Sequence, residues 1–175
     1  MENPDLQPTL VGDRVLIRPL VASDWAGMYS VAADREVWAL HPASDRYKEA
    51  VFREFFDGAL SSGSAFTLIE RERNKIMGSS RFYGYEPNLR EIEIGWTFLG
   101  RDYWGGTYNR EIKQLMLEHA FSFVETVVFW VGVQNHRSRR AMERIGGVLR
   151  EGLRTRSLSG DEPHVVYEIR KPSSR

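Results

Sequence analysis

The sequence predicts a layered α/β domain built on a mixed sheet. Three observations lead there. Strand-like and helix-like segments interleave in the order β-α-α-β-β-β-α-β-α-β-β. The segment from Val127 to Val133 is apolar almost without a break, as in a strand covered on both faces. The segment from about Arg110 to Phe123 carries Ile112, Leu115, Met116, Ala120 and Phe123, with Leu117, Phe121 and Val124 beside them. So wide an apolar face predicts a largely buried helix.

The elements follow in order. Residues up to Pro8 read as a loose end of a single domain spanning 1–175. Val11 to Arg18 gives a turn and a strand, closed by Pro19. Ser23-Asp24 is placed to cap a helix that begins near Trp25 and carries Met28, Val31 and Ala32. His41 to Asp45 is a loop. Lys48 to Leu60 is a second helix, with Val51, Phe55 and Leu60 broadly on one face. Ala65–Glu70 and Ile76–Tyr83 are strands joined by the charged Arg71-Glu72-Arg73-Asn74-Lys75 loop. Tyr85 to Leu89 turns into a strand over Ile92–Leu99. After Gly146, Val148–Leu158 and Val165–Arg170 form a closing pair around Ser159-Gly160-Asp161.

Composition narrows the classes of function. The 175 residues are 42% hydrophobic and 12% aromatic, which suits one packed domain rather than a disordered chain. Lys+Arg and Asp+Glu are both 24. That balance argues against a general nucleic-acid binder. The absence of Cys excludes disulfides, thiolate metal sites and a Cys nucleophile. The four His are scattered without metal-ligand spacing, so no metal is expected. No stretch is apolar and long enough to span a bilayer, and the acidic Met1–Asp5 end is no signal peptide. The expectation is a cytoplasmic protein with no nucleic-acid or membrane partner.

The chemistry concentrates between Ile92 and Gly146. A strand runs into Tyr103-Trp104-Gly105-Gly106-Thr107-Tyr108-Asn109 and then into a helix. Such a turn presents unpaired backbone N–H groups and the positive end of the helix dipole. Together they make a main-chain anion site, suited to a pyrophosphate.

Three stretches resemble the GNAT superfamily of acetyl-CoA-dependent N-acetyltransferases, in particular the branch that includes ribosomal-protein N-terminal acetyltransferases. They are Leu10 to Leu20 (LVGDRVLIRPL), Glu93-Ile94-Gly95-Trp96 continuing to Tyr103-Trp104-Gly105-Gly106, and Asn135 to Gly146 (NHRSRRAMERIG). The resemblance covers about Thr9 to Ile169. It implies a GNAT-like mixed, mostly antiparallel twisted sheet of about six to seven strands flanked by about four helices. The family's phosphate loop reads Arg or Gln, two residues, Gly, one residue, then Gly or Ala. Here those positions hold Trp104, Thr107 and Asn109, and Gly105 and Gly106 are placed to supply the backbone freedom instead.

The resemblance also assigns candidate residues. The amides from about Gly106 to Arg110, in the turn Trp104, Gly105, Gly106, Thr107, Tyr108, Asn109 and Arg110, would hold the CoA pyrophosphate. Phe98 and Leu99 would offer backbone groups to pantetheine where the strand splays from its neighbour, and a backbone N–H near Phe98 would polarise the thioester carbonyl. Asn135 caps the last helix and, in relatives, faces the cofactor. Ser138 either contacts the cofactor or protonates the leaving thiolate, or only caps. Among Arg137, Arg139, Arg140 and Arg144, Arg140 is taken as the contact to the adenosine 3′-phosphate, against a solvated basic face. Glu93 is the candidate general base, against a structural Glu, with His164 a weaker one. Trp38, His41 and Pro42 either shape the acceptor pocket or only pack.

The function implied is acetyl transfer from acetyl-CoA to a primary amine by direct attack in a ternary complex. The acceptor would be a peptide or amino acid-like α-amine. An α-amine has a pKa of ~7.7–8.0, against ~10.4 for lysine, so it needs less help from a base. An aminoglycoside, amino sugar or polyamine acceptor is the alternative and would call for a strongly acidic cleft. A non-catalytic CoA-binding or regulatory module is the alternative of another class. A homodimer is compatible with either.

Overall fold

The computed structural model describes residues 3–156 and 162–173. Its strands are β1 (Leu10–Val11), β2 (Val15–Pro19), β3 (Ala65–Glu70), β4 (Lys75–Glu86), β5 (Glu91–Leu99), β6 (Thr126–Gly132), β7 (Val148–Leu149) and β8 (His164–Arg170). Its helices are α1 (Trp25–Ala32), α2 (Arg35–Trp38), α3 (Glu49–Ser62), α4 (Thr107–Ala120) and α5 (His136–Arg144). The eight strands form one sheet in the order β1-β2-β3-β4-β5-β6-β8-β7. Every neighbouring pair is antiparallel except β5 and β6. Eight exceeds the expected six or seven because the sheet ends in the two-residue edge pieces β1 and β7.

Several expected boundaries move. Residues 3–8 are anchored rather than loose. Leu6 packs against the core, Gln7 Nε2 donates to the Ala65 carbonyl at 2.9 Å, and the Asp5 carbonyl lies 2.7 Å from His119 Nε2. The buried stripe of α3 is Phe52, Phe56 and Ala59, with Phe55 and Leu60 at its margins. That is an i, i+4, i+7 spacing one step away from the expected face. The closing pair is short: β7 has two residues, and the Leu158 and Ser159-Gly160-Asp161 parts of that expectation lie outside the described residues. Asp24 does not cap α1 with its side chain. Its buried carboxylate instead accepts from Arg18 at 2.9 and 2.7 Å, Thr67 Oγ1 at 2.6 Å and the Val21 amide at 3.0 Å.

Alternation along the strands builds two cores. In β3, Phe66 and Leu68 join Ile94, Val127 and the α4 residues Ile112, Met116 and Ala120. Ala65, on the other face, joins Phe98 and the α1–α3 residues Met28, Trp38, Phe52 and Phe56. Each large side chain fully buried there contributes about 1.5–3 kcal/mol.

The feature that positions the site is a split in the sheet. Parallel pairing of β5 with β6 stops after Glu93 and Val128. From there β6 stays with β8 as far as Gly132, while β5 stays with β4 as far as Leu99. Ser79 pairs with Phe98 but Arg81 with Gly95, so β5 carries one extra residue in that interval. Trp96 sits there with φ 51°, an unusual value for a bulky residue. A bulge of this kind bends the strand that carries it. Here it coincides with the parting of β5 from β6.

Candidate active site

The split opens a groove that runs between β5 and β6, from the first turn of α4 to the loop around His41. At the α4 end, Gly105 and Gly106 have φ of 110° and 99°. Neither would clash with a Cβ, so it is the left-handed backbone that calls for glycine. Gly106 is the N-cap, and α4 starts at Thr107, three residues before the expected Arg110. No side chain caps it. By helix geometry the amides of Thr107, Tyr108 and Asn109 have no intrahelical acceptor. The Arg110 amide differs from expectation: it already donates to the Gly106 carbonyl at 2.9 Å. The Arg110 side chain and Asn109 line the groove, the Tyr108 ring packs edge-on against Tyr103, and Thr107 is exposed.

Around this end stand cations. Arg144 lines the groove, with one guanidinium nitrogen 4.0 Å from where a Gly106 Cβ would sit. Arg140 is exposed and does not line the groove, whereas Arg144 does. The Arg137 guanidinium lies 3.7 Å from the centre of the Trp104 ring and donates to the Val37 carbonyl at 3.2 Å. Asn135 caps α5, with Oδ1 accepting from the Ser138 amide at 3.3 Å. Ser138 therefore contributes its N–H to the cap, and its hydroxyl has no hydrogen bond among the described residues. Both residues line the groove.

The backbone of β5 is arranged differently from expectation. The Leu99 carbonyl already accepts from Trp104 Nε1 at 3.0 Å. The Phe98 carbonyl oxygen would lie 1.9 Å from a Cβ on Gly78, so it faces β4. In a strand the N–H and C=O of one residue share an edge. Thr97 and Leu99, not Phe98, therefore turn their backbone toward the gap. The Phe98 ring remains in the groove wall, 4.9 Å from Trp38.

Lys113 was not foreseen as a site residue. It is 3% exposed, lines the groove and donates to Thr97 Oγ1 at 2.8 Å. Burial pushes its pKa down to about 7. The clue in the sequence is its place in the apolar stripe, between Ile112 and Met116 and one turn before Leu117.

At the far end Glu93 is 4% exposed and is held by Arg156, 2.6 and 2.5 Å from its two oxygens. Burial raises its pKa, and the bonds and charge of Arg156 and the charge of Arg81 only partly oppose that rise. Trp38, His41 and His164 line this end, and Pro42 packs on Gly132. The Trp38 indole donates to the Ala32 carbonyl at 2.8 Å. His41 Nδ1 accepts from the Ala43 amide at 2.9 Å, and burial holds the ring neutral with a pKa of about 3. His164 is buried, and burial also lowers its pKa. Among the described residues no group of three His, Cys, Asp or Glu side chains is placed to hold a metal, and no helix is long and apolar enough to cross a membrane.

The comparisons agree with this geometry. The family model described as an acetyltransferase (GNAT) domain matches residues 14–148. A GNAT-family acetyltransferase from Bacillus anthracis is 25% identical, with 93% of this chain and 98% of that one covered and a TM-score of 0.75. A GCN5-related N-acetyltransferase from Brucella melitensis shares the fold at 19% identity, with coverages of 94% and 79% and a TM-score of 0.80. The ribosomal-protein-S5-alanine acetyltransferase of Vibrio fischeri shares it at 14% identity, with coverages of 94% and 100% and a TM-score of 0.70. No curated protein sequence matches the chain. With most of its length matched by the family model and its sheet split beside an uncapped helix, the chain belongs to the GNAT acetyltransferases and is an N-acetyltransferase.

Proposed function

We propose that the protein transfers the acetyl group of acetyl-CoA, the family's co-substrate, to the α-amine of a peptide or an amino acid-like molecule. One observation carries this reading. The groove joins an end suited to an anion, at the first turn of α4, to a second end that holds, among the described residues, a single carboxylate, Glu93. A diphosphate suits the first end: Thr107, Tyr108 and Asn109 offer amides that no side chain caps, and Arg144 adds a charge. The parting of β5 from β6 leaves strand edge for an extended arm between the two ends.

The chain's own residues then have definite tasks. Most of the rate comes from holding amine and thioester together. The acceptor amine must be neutral to attack, and the cations around Glu93 lower the pKa of an amine placed among them. An α-amine is already near that point at neutral pH. Glu93, with its raised pKa, is the group to take the proton that the amine sheds. The Ser138 hydroxyl, in a residue that lines the groove, is the candidate donor to the departing thiolate. No Cys is present, so no cysteine acyl-enzyme forms. A polyamine or aminoglycoside would need an acidic cleft, and the one carboxylate that lines the groove among the described residues does not favour either.

The test is release of free thiol from acetyl-CoA in the presence of peptides, amino acids, polyamines and aminoglycosides in turn. The reading expects release with α-amines. Release only with polycations, or none with any amine, would reject it.

A further inference from the structure

The end of the groove around Glu93 carries more positive charge than its function as described needs. Arg46 lines it, with its guanidinium carbon 4.8 Å from the centre of the Phe55 ring and 5.7 Å from that of Trp38. Arg81 stands behind, 5.6 Å from the same Phe55 ring and 4.6 Å from Trp96. Arg81 is only 9% exposed, and its Nε is buried without a hydrogen-bond partner. Neither guanidinium has a carboxylate partner among the described residues. The charge of Glu93 acts on Arg81 and that of Asp45 on Arg46, but neither carboxylate is in ion-pair contact with them, and Arg156 holds both Glu93 oxygens. Burial, and for Arg46 also the charge of Arg81, lowers both pKa values to about 10. Both arginines remain charged at neutral pH.

A buried guanidinium without an ion-pair partner is costly, and such an arrangement is complementary to an anion that arrives with a ligand. The flat guanidinium is shaped for a carboxylate in particular, because its N–H groups match the two oxygens. The rings of Trp38 and Phe55 support the Arg46 guanidinium by cation–π contact. Arg46 and Glu93 both line this groove, so one acceptor in it can meet the base and the arginine together.

We propose that the acceptor bears a carboxylate besides its reacting amine, and that Arg46, backed by Arg81, binds that carboxylate. The proposal rests on the acetyltransferase reading above and narrows it. Two sources supply the same chemistry. One is the α-carboxylate of a free amino acid, and the other is the acidic side chain of a residue at or next to a peptide N-terminus. The same charges repel polycationic amines.

The experiment measures kcat/KM for matched pairs of acceptors, with CoA affinity measured by calorimetry in parallel. A free amino acid is compared with its C-terminal amide, and a peptide beginning with Glu is compared with one beginning with Gln. Spermidine is the polycation control. The proposal expects at least one pair to favour the acid by about tenfold or more, the scale of one charge-assisted hydrogen bond. The pair that does so identifies the source. In Arg46→Gln that ratio falls toward one, and in Arg46→Lys part of it survives; retained CoA affinity reports that each variant is folded. Equal rates within both pairs, or a preference for spermidine, would overturn the proposal while leaving the acetyltransferase reading intact. Absence of both CoA binding and transfer would overturn that reading and the proposal together.

Discussion

Arg156 grips both carboxylate oxygens of Glu93, at 2.6 and 2.5 Å, across a sequence separation of 63 residues. The pair closes the end of the groove where β5 and β6 part. It holds the buried Glu93 carboxylate in one orientation. It also counters, without cancelling, the rise in the Glu93 pKa that burial causes.

The first prediction concerns that carboxylate. Glu93 accepts a proton only when ionised, so kcat should fall as pH drops through its raised pKa, above the usual carboxylate range. Glu93→Gln should lower kcat by about a hundredfold, the low end for loss of a general base, because an α-amine sheds its proton more readily than a lysine does. The variant should also lack the acidic limb of the wild-type profile. A kcat and profile like those of the wild type would remove Glu93 from the chemistry.

A second prediction separates capping from chemistry at Ser138. The cap of α5 uses the Ser138 amide and the Asn135 side chain, not the hydroxyl. Ser138→Ala should therefore leave the melting temperature near that of the wild type. It should cost turnover or CoA affinity about fivefold, the value of one ordinary hydrogen bond. Unchanged kinetics would leave the hydroxyl without a role.

The third concerns which arginine faces the phosphates. Arg144→Gln should weaken CoA binding by about three- to tenfold at low salt and by less at high salt, where screening shortens the reach of charge. Arg140→Gln, on the exposed face, should have no such effect. A reversed order in calorimetry would show that Arg140 is the contact after all.

The fourth concerns Lys113 and folding. Its folded pKa of about 7 lies below the ~10.4 of an unfolded lysine. Between these values the unfolded chain binds more protons, so this residue makes stability rise with pH. Below about pH 7 both states carry the charge, and the burial cost is felt in full. Lys113→Met should remove the rise and stabilise the protein at pH 6 by up to about 4 kcal/mol. Urea titrations at pH 6 and pH 9 measure both quantities. Parallel stability curves for the two proteins would refute the burial argument.

Much of this was legible in the sequence, and the residues show why. Asn135 with a helix behind it reads as a cap from local chemistry alone, and it is one. The unbroken apolar run after Thr126 reads as a central strand because two covered faces leave no polar positions. The start of α4 was misplaced because the sign of φ at Gly105 and Gly106 cannot be read from glycine, which adopts either. Lys113 sits in a stripe that the pattern reads as core, and its polarity is the only trace of its role. The partners of Glu93 were invisible for a different reason. Arg81 approaches it from β4, which pairs with β5 beside Tyr83 and Glu93, and Arg156 approaches from the chain beyond β7. Local spacing records neither approach. The Trp104 bond that takes the Leu99 carbonyl depends on a turn whose course the sequence leaves open.

The central claim is that main-chain amides at the start of α4 hold the diphosphate of the co-substrate. It is tested most directly by following the backbone amide resonances of the 15N-labelled protein while CoA is added, with pantetheine as the control that lacks phosphate. The account predicts large downfield shifts at Thr107, Tyr108 and Asn109 with CoA and little change there with pantetheine. It also predicts a small response at Arg110, whose amide is already bonded to Gly106. CoA binding that leaves those three amides unmoved would contradict it.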